Sequence, residues 1–177
     1  PMGAFLVSDR LIEEVKQRGG DSAVFSNGFT YSGHPVSAAA GIKNLEIIKR
    51  EKLFEQAQDT GPYMQQRLQE LRDIPIVTDV RGRGLMACVE CELQQGEDDL
   101  EKDAELGNRI DQHCQAMGLI VRPLINMCVM SPPLTITRAQ IDDMVDILRK
   151  GILLAVEDIE NEKKAGGEAS RHPSPAA

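Results

Sequence analysis

A chain of 177 residues is long enough to bury a substantial core without disulfides or metals. With 41% hydrophobic and 27% charged residues, 15 Gly and 9 Pro, it is globular, and a disordered or fibrous class is excluded for most of its length. The net charge of −8, from 28 acidic and 20 basic residues, argues against nucleic acid as a partner. No apolar run approaches the roughly 20 residues that span a bilayer, so no membrane partner is expected. Pro1–Phe5 lacks the basic region and cleavage site of a signal peptide, and a cytoplasmic location is expected.

The first apolar run, Gly3-Ala4-Phe5-Leu6-Val7-Ser8, reads as a short buried strand. Leu11, Ile12 and Val15 mark a short amphipathic helix that Arg18-Gly19-Gly20-Asp21 ends with the glycine expected at a C-terminus. Phe25 to Pro35 is a loop rich in Gly, Ser and Asn that also holds Phe25, Phe29 and Tyr31, three of the chain's six aromatic residues. From Pro35, Val36, Ala39, Ala40, Leu45, Ile48, Leu53, Phe54 and Ala57 recur at helical steps and predict one long helix. Pro35 suits its first turn, where an amide would lack a partner anyway. Gly61-Pro62 predicts an interruption, after which Met64, Leu68 and Leu71 form a second helical piece stopped at Ile74-Pro75.

Beyond residue 74 the pattern alternates between strands and helices, as in a compact α+β unit. Val77–Val80 and Leu85–Leu93 read as a strand hairpin around Arg81-Gly82-Arg83-Gly84, and Gly96–Asp99 as a solvated acidic loop. Leu106, Ile110, His113, Cys114 and Met117 line one helix face closed by Gly118, which makes His113 a core residue. Leu119–Arg122 and Met127–Met130 follow as strands. Thr137-Arg138-Ala139-Gln140 has the form of a capping box and opens a helix with Ile141, Met144, Val145, Leu148, Ile152, Val156 and Ile159 as its apolar stripe. Residues 165–177 read as a disordered tail.

The cysteines are Cys88, Cys91, Cys114 and Cys128. Positions three apart on a strand point to opposite faces, so Cys88 and Cys91 diverge and read as small apolar strand residues; no metal is expected. Chemistry is better placed in the loop before Pro35. A glycine-containing segment entering a helix N-terminus offers free amides and the positive end of the dipole, and Thr30 and Ser32 add hydroxyls. From the pattern alone, a phosphate site and an ordinary turn both remain open. His34 is either catalytic or a cap. Arg122, closing an apolar strand, either offers its planar fork to a carboxylate or serves the fold.

Two stretches carry a resemblance. Phe29-Thr30-Tyr31-Ser32-Gly33-His34-Pro35-Val36-Ser37-Ala38-Ala39-Ala40 with Asn44–Ile48, and Val80–Met86 with Val121-Arg122-Pro123 and Ser131–Thr137, resemble in order and spacing the class III (omega) aminotransferases. The similarity extends over residues 1 to about 161. The resemblance implies fold type I, an α/β class with an α+β small domain built of a short antiparallel sheet packed by helices. It implies pyridoxal 5'-phosphate as cofactor and a homodimer with the cofactor site at the subunit interface. Thr30 would hold the cofactor phosphate of the partner subunit, with Gly28 and Phe29 shaping the loop, and Arg122 would read the substrate carboxylate. The substrates would be a small-molecule amine and a keto acid such as pyruvate.

The sequence departs from the family pattern in two places. Leu124-Ile125-Asn126 follows Pro123 where the family usually carries Gly-Asp, and Asn27 stands where a histidine is common. The family's Schiff-base lysine falls before the segment that Pro1–Phe5 resembles, and all eight lysines here read as surface charge. The implied organisation is residues 1–35 as the end of the large cofactor domain, 36–73 as linking helices, 74–161 as the small domain and 162–177 as a tail. The chain alone is expected to be inactive. The alternatives are a non-catalytic dimerisation module derived from such an enzyme, or a racemase, aminomutase or decarboxylase of the same fold.

Overall fold

The computed structural model describes residues 3–20, 28–93 and 99–169. Two compact units divide the chain, Pro1–Lys52 and Leu53–Ala177. Asn27 and residues 96–98 of the acidic loop lie outside the described residues.

In the first unit, helix α1 (Asp9–Gly19) and helix α2 (Pro35–Arg50) contain no buried residue. Residues 3–8 form no strand, and Phe5 and Leu6 are exposed. A strand needs a neighbour for its amides and carbonyls, and no described segment pairs with this one.

The expected long helix is two. After α2, Glu51 still donates to the Ile47 carbonyl at 2.9 Å, but Lys52 turns left-handed with φ 53°, and helix α3 (Leu53–Gln69) begins afresh. No glycine or proline marks this break, so the apolar periodicity ran through it. Conversely, Pro62 lies inside α3 without interrupting it. Its neighbour Gly61 is buried against Gly84, where an added Cβ would stand 2.8 Å from the Gly84 Cα. Tertiary packing at that contact offsets the lost helical hydrogen bond.

The second unit carries a four-stranded antiparallel sheet in the order β1-β2-β4-β3, made of β1 (Val77–Arg83), β2 (Met86–Cys91), β3 (Arg122–Leu124) and β4 (Met127–Met130). β1 runs through Arg81-Gly82-Arg83 to pair Arg83 with Met86, so the turn is Gly84-Leu85, with Gly84 at φ 59°. β3 begins later than the apolar run suggested, because the Leu119 amide is spent on the Cys114 carbonyl at the end of α4 (Leu100–Ala116). The two hairpins meet along β2 and β4.

Helices α3, α4 and α5 (Arg138–Ala169) enclose the core with the sheet's inner residues. Met64, Leu68, Leu106, Ile110, Ile141, Leu148 and Ile152 are fully buried, joined by Val80, Val89 and Cys128 from the strands. The box at Thr137 forms as expected: Thr137 N–H donates to Gln140 Oε1 at 3.0 Å, and Gln140 N–H donates to Thr137 Oγ1 at 3.3 Å. α5 continues to Ala169, and residues 170–177 lie outside the described part. His113 is not a core residue: its Nε2 lies 2.7 Å from Asp158 Oδ2 on α5 and it is half-buried. A histidine can occupy a helix's apolar stripe by turning its ring to a carboxylate on the neighbouring helix. No described helix is long and apolar enough to cross a membrane.

Candidate functional site

The segment entering α2 is a compact turn. Ser32 N–H donates to the Phe29 carbonyl at 2.9 Å, His34 N–H to the Tyr31 carbonyl at 3.1 Å, and Phe29 N–H to Ser32 Oγ at 3.1 Å. Gly33 supplies the left-handed step at φ 71°, and Pro35 opens the helix. Ser32 therefore works as the turn's internal acceptor, whereas the Thr30 hydroxyl is exposed and without a hydrogen-bond partner among the described residues. Gly28 meets no crowding that requires a glycine.

His34 packs edge-on against Tyr31 with ring centroids 5.7 Å apart, and its Nδ1 is buried with no partner. It holds the position before α2 without a side-chain cap. The Thr30 hydroxyl and the first amides of α2 are donors of the kind that suit an anion. Phe29 and Tyr31 are 83% and 79% exposed, which leaves a large aromatic surface beside that turn. A cleft of about 560 Å³ in the same unit runs between Gly3-Ala4 and α2, past Ala40, Gly41 and Asn44, and Thr30 does not line it.

Arg122 opens β3 on the outer face of the sheet. Cross-strand pairing sets Arg81, Cys88, Val129 and Arg122 in one row from edge to edge. The two arginines differ sharply. Arg81 is held by Asp79 at 2.8 Å, by Glu90, and against Met127 Sδ at 3.1 Å. The Asp79 and Glu90 carboxylates raise its pKa further and occupy its fork. Arg122 is exposed and has no hydrogen bond or ion pair among the described residues. It borders an apolar hollow of about 500 Å³ whose walls include Ile120, Val129, Pro132, Pro133 and Met144. An unpaired guanidinium beside an apolar hollow is an open fork for a planar anion.

The turn after Arg122 is closed despite its sequence. Leu124 pairs with Met127, so Ile125-Asn126 is a two-residue connection, with Ile125 at φ 60° where glycine is favoured. The Arg83 guanidinium, at the far end of β1, escaped attention in the sequence; it borders a groove with Phe54, Pro62 and Gln65. Arg-Gly-Arg gave a motif but no hint of which arginine the carboxylates would take.

The cysteines act as packing residues. Cys91, Cys114 and Cys128 are buried, whereas Cys88 lies on the outer face beside Arg81. Burial pushes the Cys91 thiol up to about 12 and the Cys114 thiol to about 11, so both stay protonated at neutral pH. Each described lysine whose side chain can be placed is exposed.

Comparisons with known proteins place this mixed helix and antiparallel-sheet fold in a family. A family model described as aminotransferase class-III matches residues 1–152, and the chain belongs to that family. It is 40% identical over 151 residues to the putrescine–pyruvate aminotransferase of Pseudomonas aeruginosa, covering 85% of this chain and 32% of that protein. Among solved structures, a thermostable (S)-enantioselective omega-transaminase from Thermomicrobium roseum superposes with TM-score 0.71 at 38% identity, covering 86% of this chain and 33% of the other. An amine transaminase from an uncultivated Pseudomonas species, solved in its PLP-bound form, superposes with TM-score 0.74 at 30% identity, covering 83% and 34%. The chain thus spans about a third of the length of the curated relatives it matches. The family's cofactor is pyridoxal 5'-phosphate.

Proposed function

We propose that this chain is the C-terminal portion of a class III aminotransferase that moves an amino group from an amine or omega-amino donor to a keto acid such as pyruvate. The observation that carries the reading is Arg122, an unpaired guanidinium beside an apolar hollow within a segment that matches the family. Its fork binds the keto-acid carboxylate through two parallel hydrogen bonds, and the hollow accepts the uncharged part of a substrate. A donor without a carboxylate gains nothing from it.

Thr30 donates its hydroxyl to the cofactor phosphate, with Phe29 and Gly28 shaping the turn. Bound there, pyridoxal phosphate supplies the electron sink for moving the amino group. The exposed Phe29 and Tyr31 suit coverage by a second copy in a homodimer whose cofactor sites lie at the subunit interface. Each described lysine whose side chain can be placed is exposed, which supports the reading that the chain alone is inactive.

The test compares Arg122→Ala with the parent in the longer protein. Efficiency with pyruvate should fall by about 2–4 kcal/mol in activation free energy, the cost of leaving a carboxylate unpaired. The half-reaction with a carboxylate-free amine should change far less. Equal losses in both halves, or none, refute the role. For the isolated chain, borohydride reduction with pyridoxal phosphate followed by peptide mapping should find no single lysine labelled stoichiometrically.

A further inference from the structure

Between β3 and β4 the chain turns through a residue poorly suited to its backbone. Ile125 is β-branched and has φ 60°, whereas Asn126 does not have positive φ; this pattern, with only the first turn residue left-handed, favours glycine at that position. Such a conformation persists only where its surroundings hold it. Two contacts do so here. Gly107 of α4 is buried directly beneath the turn, and an added Cβ there would overlap the Ile125 carbonyl oxygen. In addition, Cys91 N–H at the end of β2 donates to the carbonyl of buried Asn126 at 3.1 Å.

We propose that Gly107 and the backbone of the Ile125-Asn126 turn form a register clamp that fixes the face of the sheet on which Arg122 is presented. β3 has only three residues and cannot hold its own register strongly. A slip of one residue would move Arg122 and Leu124 to the core face and Pro123 to the outer face. Pro123 already pairs with Cys128, next to the closing Leu124–Met127 pair, at the alternate position where a strand amide points away from its partner. The missing proline amide therefore costs nothing in this register, and a slip would aim it at β4. The clamp selects the register that Pro123 tolerates. Its functional consequence rests on the carboxylate-reading role of Arg122, but the clamp is measured without it.

The experiment uses this chain in solution, with NMR contacts, amide exchange and thermal melting. The parent should show a Pro123 Hα–Cys128 Hα contact and contacts from the Arg122 side chain to the Val129 methyls. Ile125→Gly should keep both and melt higher, by at least about 2 °C, since relief of strain exceeds the lost side-chain contacts. Gly107→Ala should lose both, and protection of the Arg122 and Leu124 amides should fall at least about tenfold. The Val80–Val89 pairing should survive. Unchanged β3 protection in Gly107→Ala overturns the proposal, as does Ile125→Gly melting below the parent or losing the Pro123–Cys128 contact. If Gly107→Ala fails to fold, the Ile125→Gly result decides. Arg122→Ala leaves the clamp intact, so failure of the arginine's role and failure of the clamp are read separately.

Discussion

Tyr63 on α3 donates its hydroxyl to Asp142 Oδ1 on α5 at 2.6 Å, and the same oxygen accepts from Arg67 Nε at 2.8 Å. Residues 79 apart in sequence are thereby tied across the outer seam of two helices. The Arg138 guanidinium lies 4.9 Å over the Tyr63 ring and also bonds Asp59 at 3.1 Å. The Tyr63 hydroxyl first, and Arg67 second, hold the Asp142 carboxyl below the usual carboxylate range.

A carboxyl depressed by folding adds stability above its ordinary pKa, and that stability is lost as pH falls through the lower folded value. Asp142→Asn should therefore melt a few degrees below the parent near neutral pH. The gap should narrow as the solution is acidified through and below the carboxylate range. Melting curves across that range check this, and a gap that widens on acidification contradicts it. The half-exposed position of Asp142 keeps the effect modest.

Gly151 on α5 meets Cys114 on α4 so closely that an added Cβ would stand 2.6 Å from the sulfur and 3.3 Å from the Ile110 carbonyl oxygen. Gly151→Ala should destabilise the protein by about 1–3 kcal/mol through overpacking. Cys114→Ala in the same chain should recover part of that loss, with a coupling of at least about 0.5 kcal/mol in a double-mutant cycle read by denaturant unfolding. Strict additivity would mean that the thiol is not what α5 presses against.

Ser32 accepts from Phe29, whereas the Thr30 hydroxyl has no hydrogen-bond partner among the described residues. A hydrogen bond to a charged phosphate is worth about 1.5–3 kcal/mol. In the longer protein, Thr30→Ala should weaken cofactor retention by about tenfold or more, while Ser32→Ala should act on the turn's order. The dissociation constant of pyridoxal phosphate decides, and an unchanged value in Thr30→Ala removes that residue from the site.

What could be read from the sequence was whatever depends on neighbours along the chain. The stripe from Ile141 to Ile152 named the buried face of α5, and Thr137 with Gln140 named its start, because helical geometry and capping are satisfied within a few residues. Strand alternation separated Cys88 from Cys91 for the same reason. Motif order from Phe29 to Thr137 led to the family that matches residues 1–152.

Contacts between distant segments decided the rest. Pro62 stays inside α3 where Gly61 meets Gly84, and His113 leaves the core for Asp158. Arg81 is taken by Asp79 and Glu90 while Arg122, in the same row, is left open. Ile125 accepts a glycine's backbone because Gly107 and Cys91 hold the turn. Local periodicity reports which face of an element is apolar. It carries no information on how closely another backbone approaches that face, or on which of several like charges finds its partner, and those distances exist only once the chain has folded.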